Sequence, residues 1–203
     1  MKKQPTTILI GLLVSSVFLV QCSNQSDNGT KETATAGTSA VANGGYASQV
    51  EWGHHIVLAG GCGDCHTPKK MGPMGPEDDS TVLLSGHPAQ MPLPDIDQAS
   101  LQSKGVIATQ TLTAWIGPWG VSYAANLTPD STGTGGWKEE QFIYALRNGI
   151  SKGLPGNRHL LPPMPWPSIK NFSDDELKAV FAYLRTIKPV KNIVPAPLPP
   201  AKK

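Results

Sequence analysis

Cys62-Gly63-Asp64-Cys65-His66 constrains this chain more than any other stretch of it. Two thiols separated by two residues, with an imidazole directly after the second, form the attachment pattern of a c-type haem. The thiols can add across the two vinyl groups of a porphyrin, and the two-residue spacing lets the backbone wrap one turn so that both sulfurs meet the same porphyrin edge. The histidine then reaches the iron from one face. A structural zinc needs four ligands from paired Cys and His clusters, and the only other thiol, Cys22, ends a hydrophobic leader. A Cys-x-x-Cys redox disulfide belongs beside alternating strands and helices, a pattern missing around residue 62. The motif therefore predicts haem c, held by Cys62, Cys65 and His66.

The rest of the chain divides by composition. Residues 1–21 carry Lys2 and Lys3 followed by an almost wholly apolar run from Ile8 to Val20, the layout of a secretory signal. The run is short for a membrane span. Cys22 follows it and resembles the lipidated cysteine of a bacterial lipoprotein, although Gln21 stands where a small residue is usual. Residues 22–47, rich in Ser, Thr, Asn, Gly and Ala, predict a flexible tether, because such a stretch buries too little apolar surface to offset its ordering entropy. Residues 48–190 are the expected domain, and residues 191–203 a Pro-rich, extended tail.

Charge excludes one class of partner. The chain has 17 basic and 15 acidic residues, and without Lys2 and Lys3 the two signs are equal. It carries no basic stripe of the kind that nucleic acid requires. Export agrees with the haem reading, since bacterial haem c is attached outside the cytoplasm, where the two thiols must stay reduced until attachment.

Within the domain, Gln49 to Ala59 predicts a helix stopped by Gly60-Gly61. Lys138 to Asn148 predicts a second, stopped by Gly149. Ser173-Asp174-Asp175-Glu176 has the capping-box layout, and Leu177, Val180, Phe181, Leu184 and Ile187 then recur at helical spacing as far as Lys188. Residues 67–136 are dense in Pro and Gly and read as loops. The expected fold is all-α, with short helices and long loops around one haem. Such a core is meagre for this length, and a haem would supply the apolar body that the loops lack.

A thioether is a soft second axial ligand that favours ferrous iron and raises the reduction potential. Met71 and Met74 follow His66 too closely to reach the opposite haem face readily. Met91 remains possible, but Met164 is preferred, because Pro162, Pro163 and Pro165 stiffen its loop and the loop precedes the last helix. His159 is the rival distal ligand, and would give a lower potential.

The stretches CGDCHTP (62–68), NLTPD (126–130), Gly136-Trp137, Arg147-Asn148-Gly149, PPMPW (162–166) and SDDELKAVFAYLRTIKPV (173–190) resemble class I bacterial c-type cytochromes, in the family's order. The similarity is to exported cytochrome c domain proteins related to haem subunits of membrane dehydrogenases. It implies the class I cytochrome c fold, His66 and Met164 as axial ligands, and the Pro68 carbonyl as acceptor for the second imidazole nitrogen. The single haem motif, where such dehydrogenase subunits often carry several, fits a single-haem carrier; with the leader and Cys22 it would be lipid-anchored on the periplasmic side, passing one electron between membrane-associated redox proteins rather than acting as an enzyme. The alternatives are a haem enzyme or gas sensor with an open distal site, and a fixed subunit of a larger dehydrogenase.

His54, His55 and His87 also invite a role, although packing is the commoner fate of such residues. Trp115, Trp119 and Tyr123 form an aromatic group expected to hold the long loop down. Asp174, Asp175 and Glu176 suit a helix start.

Overall fold

A computed structural model describes residues 42–95 and 105–200. The signal, Cys22 and most of the expected tether lie outside these residues, as do residues 96–104 and 201–203.

The helices begin and end largely where their caps dictate. The hydroxyl of Ser48 accepts the Glu51 N–H at 3.1 Å and opens α1 (Gln49–Ala59). Gly61, at φ +64°, separates α1 from the short α2 (Cys62–His66), a conformation that glycine adopts without strain. α3 (Glu139–Asn148) stops at Gly149, which is also left-handed. The four-residue α4 (Trp166–Ile169) follows the Met164 loop. α5 (Asp174–Leu184) starts in a complete capping box: Ser173 Oγ accepts the Glu176 N–H, and the Glu176 carboxylate accepts the Ser173 N–H. It ends at Leu184 rather than Lys188. The Thr186 hydroxyl donates to the Tyr183 carbonyl at 2.7 Å and so satisfies one of the helix-terminal acceptors.

α1 crosses α5 at Gly53, where a Cβ would lie 1.8 Å from the Ala179 carbonyl oxygen. Only a glycine permits this approach. Around the crossing, Ile56 and Val57 of α1, Val180, Phe181 and Leu184 of α5, Phe142 of α3 and Leu84 form one buried cluster.

Two small antiparallel sheets correct the all-α expectation. β1 (Lys69–Gly72) pairs with β2 (Gly75–Asp78) as a hairpin turning at Pro73-Met74. β3 (Ile107–Ala108), β4 (Ala114–Gly117) and β5 (Gly120–Tyr123) form the second sheet in that order, with Pro118-Trp119 at the β4–β5 turn. Each strand has at most four residues, too few for an alternating pattern to stand out among the surrounding Pro and Gly. Ile116 and Val121 nevertheless form a second buried cluster with Leu93, Ile107 and Tyr123 against it.

The chain beyond α5 lies along this sheet. Val121 and Leu198 exchange backbone hydrogen bonds of 2.9 and 3.1 Å. Gly120 admits this contact, since a Cβ there would lie 2.1 Å from the Leu198 carbonyl oxygen.

Candidate haem site

α2 presents Cys62, Cys65 and His66 from one short helix, and Lys69 holds that helix in place. Lys69 Nζ donates to the carbonyls of Gly63 at 2.8 Å and Thr67 at 2.7 Å, and pairs with Asp78 at 2.8 Å. A cation at the C-terminal end of a helix satisfies its free carbonyls and its dipole together. The β1–β2 hairpin is thus pinned to the motif by its first residue.

Both thiols are free and half-buried. Burial pushes the Cys62 thiol up to about 11, with the Asp64 charge adding to it. Cys65 is raised for the same two reasons, burial first. A redox-active Cys-x-x-Cys works through a thiol whose pKa is depressed, so this environment is the opposite of what dithiol chemistry needs. Among the described residues, no group of three or more His, Cys, Asp or Glu is placed to hold a metal ion.

His66 is buried, and its Nδ1 lies 2.8 Å from the Ala125 carbonyl oxygen. A carbonyl only accepts, so Nδ1 carries the proton and Nε2 the free lone pair. Burial lowers the imidazole pKa, and the Ala125 bond partly offsets this. The Ala125 bond therefore fixes which ring nitrogen of His66 carries the proton and holds the ring in one orientation. The acceptor is a correction: the Pro68 carbonyl instead takes the Asp79 N–H at 2.9 Å. Thr67 turns the chain away toward β1, its hydroxyl accepting the Leu84 N–H at 3.1 Å. Ala125 directly precedes the NLTPD stretch, and that adjacency was the available sequence signal.

The methionines separate by environment. Met71 and Met74 are exposed on the β1–β2 hairpin, Met74 fully. The Met91 sulfur accepts the Thr111 hydroxyl at 3.4 Å. Met164 is half-buried in a loop fixed on both sides. On one side, the Ser122 hydroxyl of β5 donates to the Pro162 carbonyl at 2.5 Å. On that same side, the Leu160 N–H donates to the Gly149 carbonyl at 2.7 Å; on the other side of Met164, the Trp166 ring lies against Gly149, where a Cβ would be 2.5 Å from it. Arg147 secures the far end by donating to the carbonyls of Lys170 and Phe172.

The cytochrome c family profile matches residues 50–188. The chain belongs to the cytochrome c family. It is related to cytochrome subunits of dehydrogenases. A subunit of the nicotinate dehydrogenase of Pseudomonas putida is 32% identical over 151 residues, which cover 74% of this chain and 10% of that protein. The fructose dehydrogenase cytochrome subunit of Gluconobacter japonicus is 26% identical over 147 residues, covering 71% of this chain and 23% of that protein. The gluconate 2-dehydrogenase cytochrome c subunit of Pantoea cypripedii is 40% identical over 67 residues, covering 32% and 14%. The chain thus spans between about a tenth and a quarter of the length of these relatives.

As a member of the cytochrome c family, the protein has covalently bound haem c, with its iron, as cofactor. The side chains fit that group. Cys62 belongs to an apolar cluster in which Leu83, Leu127, Trp137 and Leu146 are only partly buried. Among the described residues, His66 Nε2 takes part in no hydrogen bond.

The remaining histidines of this cytochrome are engaged elsewhere or exposed. His54 stacks on Tyr183 at 4.8 Å and His55 on Tyr46 at 5.0 Å. His159 is exposed, its backbone bridged to Ile150. His87 is fully buried, with Nδ1 at 2.9 Å from the Thr113 hydroxyl and its ring against Tyr123. Trp119 donates to the Ser122 hydroxyl within the β4–β5 hairpin.

Proposed function

We propose that this cytochrome is a single-haem carrier that moves one electron at a time between membrane-associated redox proteins outside the cytoplasm. In this reading Cys62 and Cys65 form the thioether links, His66 and Met164 are the axial ligands, and Cys22 is the lipid attachment on the periplasmic side of a bacterial membrane. Bound haem c supplies an iron that takes up and releases one electron.

The observation that carries the reading is the His66 imidazole, held through Nδ1 on the Ala125 carbonyl one residue after Cys65. A ligand whose other ring nitrogen is hydrogen-bonded does not reorient when the iron changes charge, which keeps reorganisation small. The pinned Met164 loop supports the same behaviour on the other side. Cys62 and Cys65 are only half-buried, so a haem attached to them would be open to a partner from that side.

A second reading, a fixed subunit of a larger oxidoreductase, is favoured by the names of the relatives, which are dehydrogenase subunits. Purification of the native full-length protein in mild detergent separates the two. A free haem protein supports the carrier, and a stoichiometric dehydrogenase partner supports the subunit. The ligand set is tested by carbon monoxide: slow or absent binding agrees with a six-coordinate iron, and rapid binding points to an open site.

A further inference from the structure

Asn192 lies beyond both α5 and the span matched by the family, residues 50–188, yet its amide is nearly saturated with hydrogen bonds to the body of the domain. Its Nδ2 donates to the Ser85 carbonyl at 2.7 Å and the His87 carbonyl at 2.9 Å, while its Oδ1 accepts the Ala89 N–H at 3.0 Å. The residue between the two carbonyls is Gly86, whose N–H donates to the backbone carbonyl of His66 at 2.8 Å. The His87 N–H donates in turn to the Ala124 carbonyl at 2.9 Å. One side chain therefore fixes the segment that holds the backbone of His66 and the residue before Ala125.

The residue after Ala125 is held by the same strap. The Asn192 N–H donates to Thr132 Oγ1 at 2.9 Å, and that oxygen also accepts from Asn126 Nδ2 at 3.2 Å. Asn126 Nδ2 donates to the Val190 carbonyl at 2.8 Å, and the Val190 N–H donates to Thr128 Oγ1 at 3.1 Å. Thr128 closes the circuit on Asn126 Oδ1 through its own N–H and hydroxyl. The strap is fixed again at Leu198, bonded to Val121. Prolines 189, 195, 197, 199 and 200 leave it little conformational entropy to lose.

We propose that Asn192 is a positioning residue for the iron ligand: through Gly86, Ala124 and Asn126 it holds the Ala125 carbonyl against His66 Nδ1 and so sets the donor strength of the imidazole. The proposal rests on His66 being the proximal ligand. A carbonyl held firmly on Nδ1–H makes the other nitrogen a stronger donor, and a stronger donor favours ferric iron. Loosening the strap therefore raises the reduction potential.

The test uses the full-length, haem-loaded protein and compares N192A with the wild type and with S173A. The last removes the α5 capping hydroxyl and lowers stability away from His66. For N192A, the expected result is an unchanged low-spin spectrum, a higher reduction potential and faster solvent exchange of the His66 Nδ1 proton by NMR. S173A lowers the unfolding midpoint with neither other change. Should N192A not accumulate, T132V, which removes the oxygen shared by Asn192 and Asn126, gives the same two shifts in smaller degree. An unchanged potential and exchange rate in whichever variant matures overturns the positioning role. A wild-type protein whose haem lacks His66 ligation overturns the underlying reading instead.

Discussion

His66 and Ala125 are 59 positions apart in the chain and joined by a 2.8 Å hydrogen bond from imidazole to carbonyl. The bond brings together two stretches separated by most of the strand-bearing part of the chain. The β1–β2 hairpin and the β3–β4–β5 sheet occupy the interval, yet the chain returns to place Ala125 against the ring. The His87 N–H to Ala124 carbonyl bond secures that return.

Replacing Met164 by Ala is expected to leave haem covalently attached and to lower the reduction potential by a sizeable part of the ~0.8 V that axial ligands span across haem proteins. Met91→Ala is expected to leave the potential nearly unchanged, because the Met91 sulfur already accepts the Thr111 hydroxyl. Redox titration followed optically decides between them. A shift in Met91→Ala with none in Met164→Ala would reverse the assignment.

Gly53→Ala forces α1 and α5 apart, since the new methyl would sit 1.8 Å from the Ala179 carbonyl oxygen. Overpacking of this kind costs about 3 kcal/mol. Chemical denaturation of the haem-loaded protein should show that loss, and a variant of wild-type stability would mean the helices can separate freely.

Lys69→Met removes a cation that serves Gly63, Thr67 and Asp78 together. The carbonyls at the end of α2 are left without that donor, at a cost of about 1–3 kcal/mol. The yield of haem-loaded protein should fall with stability. Equal yield and midpoint would show that water replaces the ammonium adequately.

His87 makes stability depend on pH. Burial holds its imidazole below the ordinary 6.5, only partly offset by the Met91 backbone. A group with a depressed folded pKa contributes stability above its unfolded value, and that contribution is lost as the pH falls below about 6.5 toward the folded value. Its ring neighbour Tyr123 stays neutral across this window, its hydroxyl raised by burial. Denaturation midpoints of wild type and His87→Gln at pH 7.5 and pH 5 should therefore diverge, with the larger acid-induced drop in the wild type. Parallel drops would remove His87 as the cause.

The three longer helices were legible because their ends carry strong local chemistry, whereas Cys62–His66 and Trp166–Ile169 are too short to show a helical period. Gly60-Gly61, Gly149 and the Ser173–Glu176 box each act within a few residues. The strands were not, because Ile107–Ala108 and Ala114–Gly117 are too short for a period of two and pair with each other across residues 109–113, Ala114–Gly117 pairing again across the Pro118-Trp119 turn. α5 also stops early for a local reason, the Thr186 hydroxyl on the Tyr183 carbonyl, which helical periodicity through Ile187 does not register. At the site, the proposed thiols and imidazole rest on the motif alone, whose spacing follows from the covalent chemistry it serves. The acceptor for His66 depends on a contact over 59 positions and on a carbonyl, a group that every residue carries. For that reason the resemblance led to Pro68 and the fold to Ala125. The bracing by Asn192 was hidden in the same way, behind a Pro-rich composition that suggests an uninvolved tail.

The central claim is a haem c ligated by His66 and Met164, and the optical spectrum of the protein matured in an oxidising compartment tests it most directly. A sharp low-spin ferrous spectrum, together with the sulfur-to-iron band in the ferric form, is the predicted result. A high-spin spectrum, or a protein with no covalently attached haem, would contradict it.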